Sequence, residues 1–553
     1  MIKENLVLYF EQSIKQNWEK PALSDYKGTT LTYGDVAVQI AKIHLLFERN
    51  GVRRGDKVSL IGKNASNWAI VYLATVTYGA VIVPILPEFK PNDVHHIINH
   101  SDSVVLFTSN SLFENMDLAR LTALRAVISL DDFSLKYSPD TMWDEDIKNI
   151  GSLFEAKFPY GFNSGLTCYP SIANSELAVI SYTSGTTGFS KGVMLSHNSL
   201  AANMWFARNN MPLKPSDRIV SFLPLAHAYG CAFEFLFPFS IGCHITFLTK
   251  TPSPQIIIQA FDEIKPRLIL SVPLIIEKIY KKQLLPVINK PAIKILLRIP
   301  LLNIFIHRKI RKKLCSVFGG NFHEVVIGGA AFNAEAEAFL RKIRFPFTVG
   351  YGMTECGPLI SYSSWKETRL HSAGKNVDTL EVKIDSDDPY TKVGEILVKG
   401  DNTMSGYYKN EEATKAVIDE DGWLHTGDQG LIDKKGNIYI KGRSKTMILG
   451  PSGQNIYPEE IESLLNNKDF ILESLVIEDK GRLVALLYPD YEMVDSRRIN
   501  DEQLNHLFNN HIREINHHLP NYMNLAKFTI HREEFEKTPK RSIKRFLYVG
   551  DNN

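Results

Sequence analysis

Residues 182 to 192 read Tyr-Thr-Ser-Gly-Thr-Thr-Gly-Phe-Ser-Lys-Gly. Glycines at 185, 188 and 192 let the backbone turn its N–H groups toward an anion at close range. The hydroxyls of Thr183, Ser184, Thr186 and Thr187 add donors, and Lys191 adds a positive charge. A loop of this composition can cradle the phosphates of a nucleotide. It is not the kinase-type loop, in which Gly-Lys is followed by Ser or Thr, because here Gly192 follows Lys191 and Ser190 precedes it. A Gly/Ser/Thr tract can also be a plain linker. A linker seldom sits directly between two apolar strand-like runs, as this tract does after LAVISY, so phosphate binding is expected.

The elements that must hold such a loop are legible as alternating strands and helices. KVSLIG (57–62), AVIVPI (80–85) and SVVLFT (103–108) read as strands, and WAIVYLATVTYG between the first two reads as a helix. AVISY (178–182), RIVSFLP (218–224), HITFLT (244–249), RLILSV (267–272) and EVVIGG (324–329) repeat the pattern and suggest a second sheet. From about 375 the texture changes to short β pieces, EVKI, GEILVKG and NIYIKG, with Gly and Asp turns. The fold class expected is α/β. Two α/β subdomains and a small β subdomain fill residues 1–442, a linker lies at 443–447, and a small α+β domain spans 448–553.

Composition narrows the function. The 553 residues are 44% hydrophobic and 22% charged with a formal charge of +2, which suits a folded soluble protein and argues against nucleic acid as partner. Five widely spaced cysteines, without Cys-x-x-Cys, argue against a disulfide framework or zinc site and fit the cytoplasm. Near the N-terminus, Leu6, Phe10 and Ile14 have the spacing of an amphipathic surface helix, and charges interrupt every apolar run, unlike a secretory signal. The segment Lys278–Lys313 holds eleven Lys or Arg and no acid. It reads either as a face that meets an anionic membrane or acyl chains, or as an amphipathic helical hairpin with a solvated basic side.

The loop at 182–192 resembles the phosphate loop of the adenylate-forming superfamily, which includes acyl-CoA synthetases, peptide-synthetase adenylation domains and luciferases. Ser190 stands where that family usually has Pro. The resemblance recurs in order at LPLAHAYG (223–230), IGGAAF (327–332), GYGMTE (350–355), GEILVKGDNTMSGYY (394–408), WLHTGD (423–428) and IKGRSKTMILGPSGQNIYPEEIE (440–462). ENLVLYFEQSIKQNWEKPAL and HRKIRKKL also resemble long-chain fatty acid–CoA ligases. The resemblance implies ATP, Mg²⁺ and coenzyme A as cofactors and co-substrate, with a fatty acid as the acid to be activated.

The resemblance also implies roles. Glu355 binds Mg²⁺, with Thr183 or Thr186 completing its shell. Thr183, Ser184, Gly185, Thr186, Thr187, Gly188 and Lys191 hold phosphate. Tyr351 stacks on adenine beside Gly352, and Thr354 holds the α-phosphate. Gly329, Ala330 and Ala331 let backbone approach adenine and the acyl carboxylate. Asp428 and Arg443 reach the ribose, His227 positions the carboxylate, Lys445 is the hinge, and Gly453 lines the pantetheine path. The family's catalytic lysine falls at Ser542, so Lys540 or Lys544 must substitute, or adenylation is lost. Three functions therefore stay open: a fatty acid–CoA ligase, a fatty acyl-AMP ligase loading a carrier protein, and a non-catalytic acyl- or nucleotide-binding homologue. Apolar stretches CAFEFLFPF (231–239) and ILLRIPLLNIFI (295–306) suit either a long apolar substrate or plain core.

Overall fold

The computed structural model describes residues 2–183, 191–250, 253–288, 290–299, 302–450, 454–538 and 543–549. The continuous apolar runs become parallel strands. Val81–Ile85, Lys57–Ile61, Ser103–Thr108 and Ala126–Ser129 lie side by side in that order. Parallel strands covered on both faces need such runs. The covering helix Ser66–Tyr78 is buried at nearly every position and stops at Gly79, whose φ of 89° costs glycine no Cβ clash.

Strand Leu177–Thr183 joins this first sheet, with Val179 beside Ile82. The expectation that 178–182 belongs with the later strands is therefore overturned. An apolar run signals a buried strand, but its neighbour is set by long-range pairing. Lys191–Ser196 then folds back antiparallel on it, and Gly406–Tyr407 pairs with Lys191–Ser196 at the sheet's edge.

The second sheet region is built from Arg218–Ser221, His244–Phe247, Leu268–Ser271, Glu324–Ile327 and Phe347–Val349. These form two short parallel sheets, joined where the Arg267 N–H donates to the Arg218 carbonyl at 2.8 Å. Pro21–Asp25 pairs parallel with His244–Phe247. That strand escapes a reading by apolar runs, because PALSD has too few large apolar residues. Helix Leu6–Gln16 starts at Asn5, whose side chain accepts the N–H groups of Val7 and Leu8. Its Leu6, Phe10 and Ile14 are fully buried, as their spacing predicts, and Phe10 packs edge-on against Phe239.

The small β subdomain is an antiparallel sheet of Leu380–Asp385, Gly394–Gly400, Leu424–Ile432 and Ile438–Arg443. After it, strands Ile471–Asp479, Arg482–Pro489 and Leu525–Ile530 carry helices Pro458–Leu465 and Asp501–His518 around Ile461, Leu487 and Phe508. This core is separate from the large one, which ends in sequence at Ile438. The architecture is thus the expected α/β body followed by a small α+β domain. In the basic segment, helix Pro291–Arg298 packs against Leu302–Val317. Among the described residues, no helix is long and apolar enough to cross a membrane.

Candidate active site

In open α/β sheets, ligands meet the carboxyl ends of the strands. Two neighbouring parallel strands end here in small residues. Glu324–Ile327 runs into Gly328-Gly329-Ala330-Ala331, and Phe347–Val349 runs into Gly350–Glu355. Gly329 has φ of 87°, and Gly329, Ala330 and Ala331 are exposed, so their backbone is open to a ligand. A Cβ on Gly328 would lie 3.3 Å from the Tyr229 ring, and the Tyr229 hydroxyl donates to the Val326 carbonyl at 3.0 Å. His227 precedes Tyr229 by two residues and immediately precedes the short helix Ala228–Gly230. The His227 turn and the Gly-Ala turn are therefore neighbours.

The phosphate-loop candidate joins two paired strands, with Thr183 opposite Lys191. Ser184, Gly185, Thr186, Thr187 and Gly188 lie outside the described residues. The Lys191 ammonium sits 4.9 Å from the centre of the Tyr407 ring. The hydroxyl of the same Tyr407 donates to the Glu355 carboxylate at 2.9 Å. Burial and then the Glu355 charge push the Tyr407 phenol well above its ordinary pKa, so it stays a donor. Tyr407 is fixed because Gly406 and Tyr407 pair with Met194 and Val193, just past the loop. The Met404 N–H also donates to the Glu355 carbonyl at 2.8 Å. One ring thus ties the loop's cation to the acid of Gly-Met-Thr-Glu. Gly352 has a steric reason too: a Cβ there would lie 2.1 Å from the Pro358 carbonyl oxygen.

The donor set fits magnesium of one kind. Among the described residues, no three or more His, Cys, Asp or Glu gather as a metal cage. Mg²⁺ is usually held by one or two carboxylates plus substrate phosphates and water. Glu355, half-buried and bonded to the hydroxyl of the Tyr407 ring that Lys191 faces, supplies one such carboxylate.

A second constellation surrounds Asp428, which is buried. The Tyr351 hydroxyl donates to one carboxylate oxygen at 2.7 Å, and Arg443 Nε approaches the other at 3.0 Å. Antiparallel register places Asp428 directly opposite Arg443. Burial raises the Asp428 pKa, while Arg443 and Tyr351 pull it down. Tyr351 is itself buried, and its hydroxyl is engaged by Asp428. Two residues past Arg443, Lys445 is exposed in a short turn. That turn is tied on both sides, by Gln429 to Ser444 at 2.6 Å and by Thr446 to Glu459 at 2.6 Å.

The C-terminal lysines are arranged differently. Lys537 pairs with Ile543 as an antiparallel bridge, and the tip between them, with Lys540 and Ser542, lies outside the described residues, as does Gly453. Lys537 ion-pairs with Glu473 at 2.7 Å and with Glu534. Lys544 ion-pairs with Glu536 at 2.5 Å. Among the described residues, no hydrogen bond or ion pair joins Lys544 to Glu355 or Asp428.

Two residues carry weight that sequence reasoning did not assign. Tyr407 lies inside GEILVKGDNTMSGYY, and only the strand pairing reveals what it touches. Glu234 is fully buried in the π-turn Cys231–Leu236 and accepts the N–H groups of Phe222 and Leu223 at 3.0 Å each. It thereby pins the segment leading to His227, and burial holds its carboxyl well above the usual range. Nothing in CAFEFLFPF flags that acid. The phenylalanines of this stretch, Phe233, Phe235, Phe237 and Phe239, are at most 1% exposed, so the stretch is core and not a substrate wall.

The model of the family described as AMP-binding enzyme matches residues 10–408. The long chain acyl-CoA synthetase 7, peroxisomal, of Arabidopsis thaliana is 30% identical over 496 residues, covering 84% of this chain and 69% of that protein. The long-chain-fatty-acid–CoA ligase FadD15 of Mycobacterium bovis is 28% identical over 494 residues, covering 84% and 78%. Among solved structures, ATP-bound MatB from Rhodopseudomonas palustris has a TM-score of 0.75 at 20% identity, covering 99% of this chain and 98% of that one. The AMP complex of the O-succinylbenzoate coenzyme A synthetase MenE from Bacillus subtilis has a TM-score of 0.74 at 21% identity, covering 97% of both chains. These two share the fold. The chain therefore belongs to the AMP-binding enzyme family, the adenylate-forming enzymes that use ATP and Mg²⁺ to activate a carboxylic acid, with coenzyme A as acceptor in its acyl-CoA synthetase members.

Proposed function

We propose that the chain is an AMP-forming ligase that joins a medium- or long-chain fatty acid to coenzyme A. The fatty carboxylate attacks the α-phosphorus of ATP, pyrophosphate leaves, and an acyl-adenylate forms. The coenzyme A thiol then attacks the activated carbonyl, forming the thioester, and AMP leaves. Both reactants of the first step are anions, so the protein must supply positive charge and oriented donors. The observation that carries the reading is the convergence of Lys191, Tyr407 and Glu355 at the mouth of the glycine-hydroxyl loop.

In this reading Lys191 and the loop hold the phosphates, and Thr354 holds the α-phosphate. Asp428 and Arg443 take the ribose hydroxyls, with Tyr351 fixing the Asp428 carboxylate beside adenine. Gly329, Ala330 and Ala331 face adenine and the acyl group, and His227 orients the carboxylate. Magnesium, when bound at Glu355, neutralises phosphate charge. The unit from 448 to 553 turns about 443–447 at Lys445, which moves the lysine tip away and brings Gly453 to the pantetheine path. Lys540 or Lys544 replaces the missing lysine. Support for a fatty substrate comes from the names of relatives such as those of Arabidopsis and Mycobacterium. The five cysteines are all free, which suits a reducing cytoplasm.

The test is a panel of acids from acetate to palmitate with ATP, Mg²⁺ and coenzyme A, scored by AMP and thioester formed. Thioester rising with chain length supports the proposal. Acyl-adenylate without thioester moves the assignment to carrier loading. Serine at 542 favours a second reading, a binding protein without turnover, and pyrophosphate release with palmitate excludes that reading.

A further inference from the structure

The helical hairpin after residue 290 is unlike the rest of the surface. In helix Leu302–Val317, Ile310 and Leu314 are buried and define the inward stripe. The opposite face, at helical spacing, carries Phe305, Arg308, Lys309 and Lys312, all exposed. Phe305 is 64% exposed and Ile304 47%. The preceding helix Pro291–Arg298 and its link add Ile295 at 62% and Ile299 at 41%, and Leu302, at the start of the second helix, is 43% exposed. Large apolar side chains are left in solvent beside a row of cations. Among the described residues, no carboxylate pairs with Arg308, Lys309, Lys312 or Lys313. Acids do lie nearby, Asp262 and Glu263 on helix Pro254–Ile264, which packs against Leu302–Val317. None occurs from 278 to 313 itself, where there are eleven Lys or Arg.

We infer that this hairpin docks the enzyme on an anionic lipid bilayer. Ile295 and Phe305 enter the acyl boundary, and Arg308, Lys309 and Lys312 lie among the phosphates. An interfacial helix needs this mixture of apolar side chains and Lys/Arg, because burial and charge attraction add. The two other occupants fit less well. A second copy meeting the same face across a twofold axis would bring two basic rows together. Nucleic acid would leave the aliphatic residues Ile295, Ile299 and Leu302 in water, since it offers stacking and phosphate but little aliphatic surface. The inference does not depend on which acid the enzyme activates.

The experiment is co-sedimentation of the full chain with vesicles of phosphatidylcholine alone or mixed with phosphatidylglycerol, at low and high sodium chloride. We expect binding to the anionic vesicles only, weakened by salt. The pair Ile295→Glu with Phe305→Glu should lower partitioning by about tenfold or more, because each removes apolar insertion and adds repulsion. Arg308→Gln, Lys309→Gln and Lys312→Gln together should weaken binding to the anionic vesicles at low salt and flatten the remaining salt dependence. In a chain carrying Phe305→Trp, brominated lipid should quench added fluorescence, and this readout decides alone should the glutamate pair misfold. Adenylate formation from a water-soluble acid should be unchanged in folded variants. Undiminished binding in both variant sets, no binding to anionic vesicles, or no quenching would overturn the inference. So would a concentration-dependent dimer abolished by Phe305→Glu, or RNA binding in place of vesicle binding.

Discussion

The nucleotide end of the large domain and the lysine hairpin at 537–544 are built on opposite principles. Around Glu355 and Asp428, the polar groups reach across long stretches of sequence: Tyr407 to Glu355, Tyr351 to Asp428, and Lys191 to the Tyr407 ring. Each partner sits on a strand or a turn locked by a strand. In the hairpin, Lys537 and Lys544 pair with Glu534 and Glu536 of the same short stretch, and Lys537 also with Glu473 of the same small domain. The lesson is that polar groups of the large domain are held by partners far away in sequence, whereas the described lysines of the hairpin, in the small domain, are neutralised by acids of that same domain.

Breaking the rigid side should have the largest effect. Glu355→Ala should lower pyrophosphate exchange by about 10²–10³-fold, the usual scale for losing an electrostatic contact at a reacting centre, and single-turnover adenylation measures it. Asp428→Ala should fall in the same range and also leave Arg443 unpaired, so a rise in KM for ATP should accompany it.

The hairpin offers a sharper contrast. Lys540→Ala should slow adenylation by about tenfold or more and thioester transfer far less, because only the first step needs a cation between carboxylate and phosphate. Lys544→Ala should cost less, since Glu536 already holds that ammonium. Ser542→Lys should raise adenylation. Equal loss of both half-reactions in Lys540→Ala would remove the distinction between the two steps.

A smaller effect is expected at the link between loop and acid. Tyr407→Phe removes one hydrogen bond to a charged group, worth about 1.5–3 kcal/mol. The KM for magnesium-ATP should rise by about tenfold or more, with a fall in melting temperature of only a few degrees. Measurement over a magnesium series separates this from a general loss of activity.

The smallest effect concerns stability of the small domain. Burial raises the pKa of Glu462 to about 7, despite its ion pair with Arg545. A carboxyl raised in the fold binds its proton more tightly there than in the unfolded chain, so stability falls with rising pH. The contribution is fully present below the ordinary glutamate range and lost as pH rises through about 7. Melting of the chain between pH 5 and 8 should show this slope, and Glu462→Gln should flatten it.

How much of this was legible in the sequence follows from range of interaction. Runs such as KVSLIG and SVVLFT declare buried strands by themselves, and Leu6, Phe10 and Ile14 declare a helix face. Sheet membership was not legible. Leu177–Thr183 pairs with a strand almost a hundred residues earlier, and PALSD carries little apolar signal. The site motifs could be located because glycines and hydroxyls at fixed offsets have chemical meaning without a partner. Tyr407 could not be weighed, because its worth lies in two contacts, Lys191 and Glu355, that only the edge pairing of Gly406–Tyr407 creates. CAFEFLFPF could be read either way, since a core wall and a pocket wall have the same composition, and burial decided for core.

The central claim is that loop 182–192 and Glu355 act on one triphosphate while a carboxylic acid attacks it. The direct measurement is exchange of labelled pyrophosphate into ATP, with magnesium, in the presence and absence of palmitate, in the intact chain and in Glu355→Ala. The account predicts exchange that requires the acid and is nearly abolished in the variant. Exchange that proceeds equally without any acid, or an intact chain that binds ATP and shows none with any acid of the panel, would contradict it.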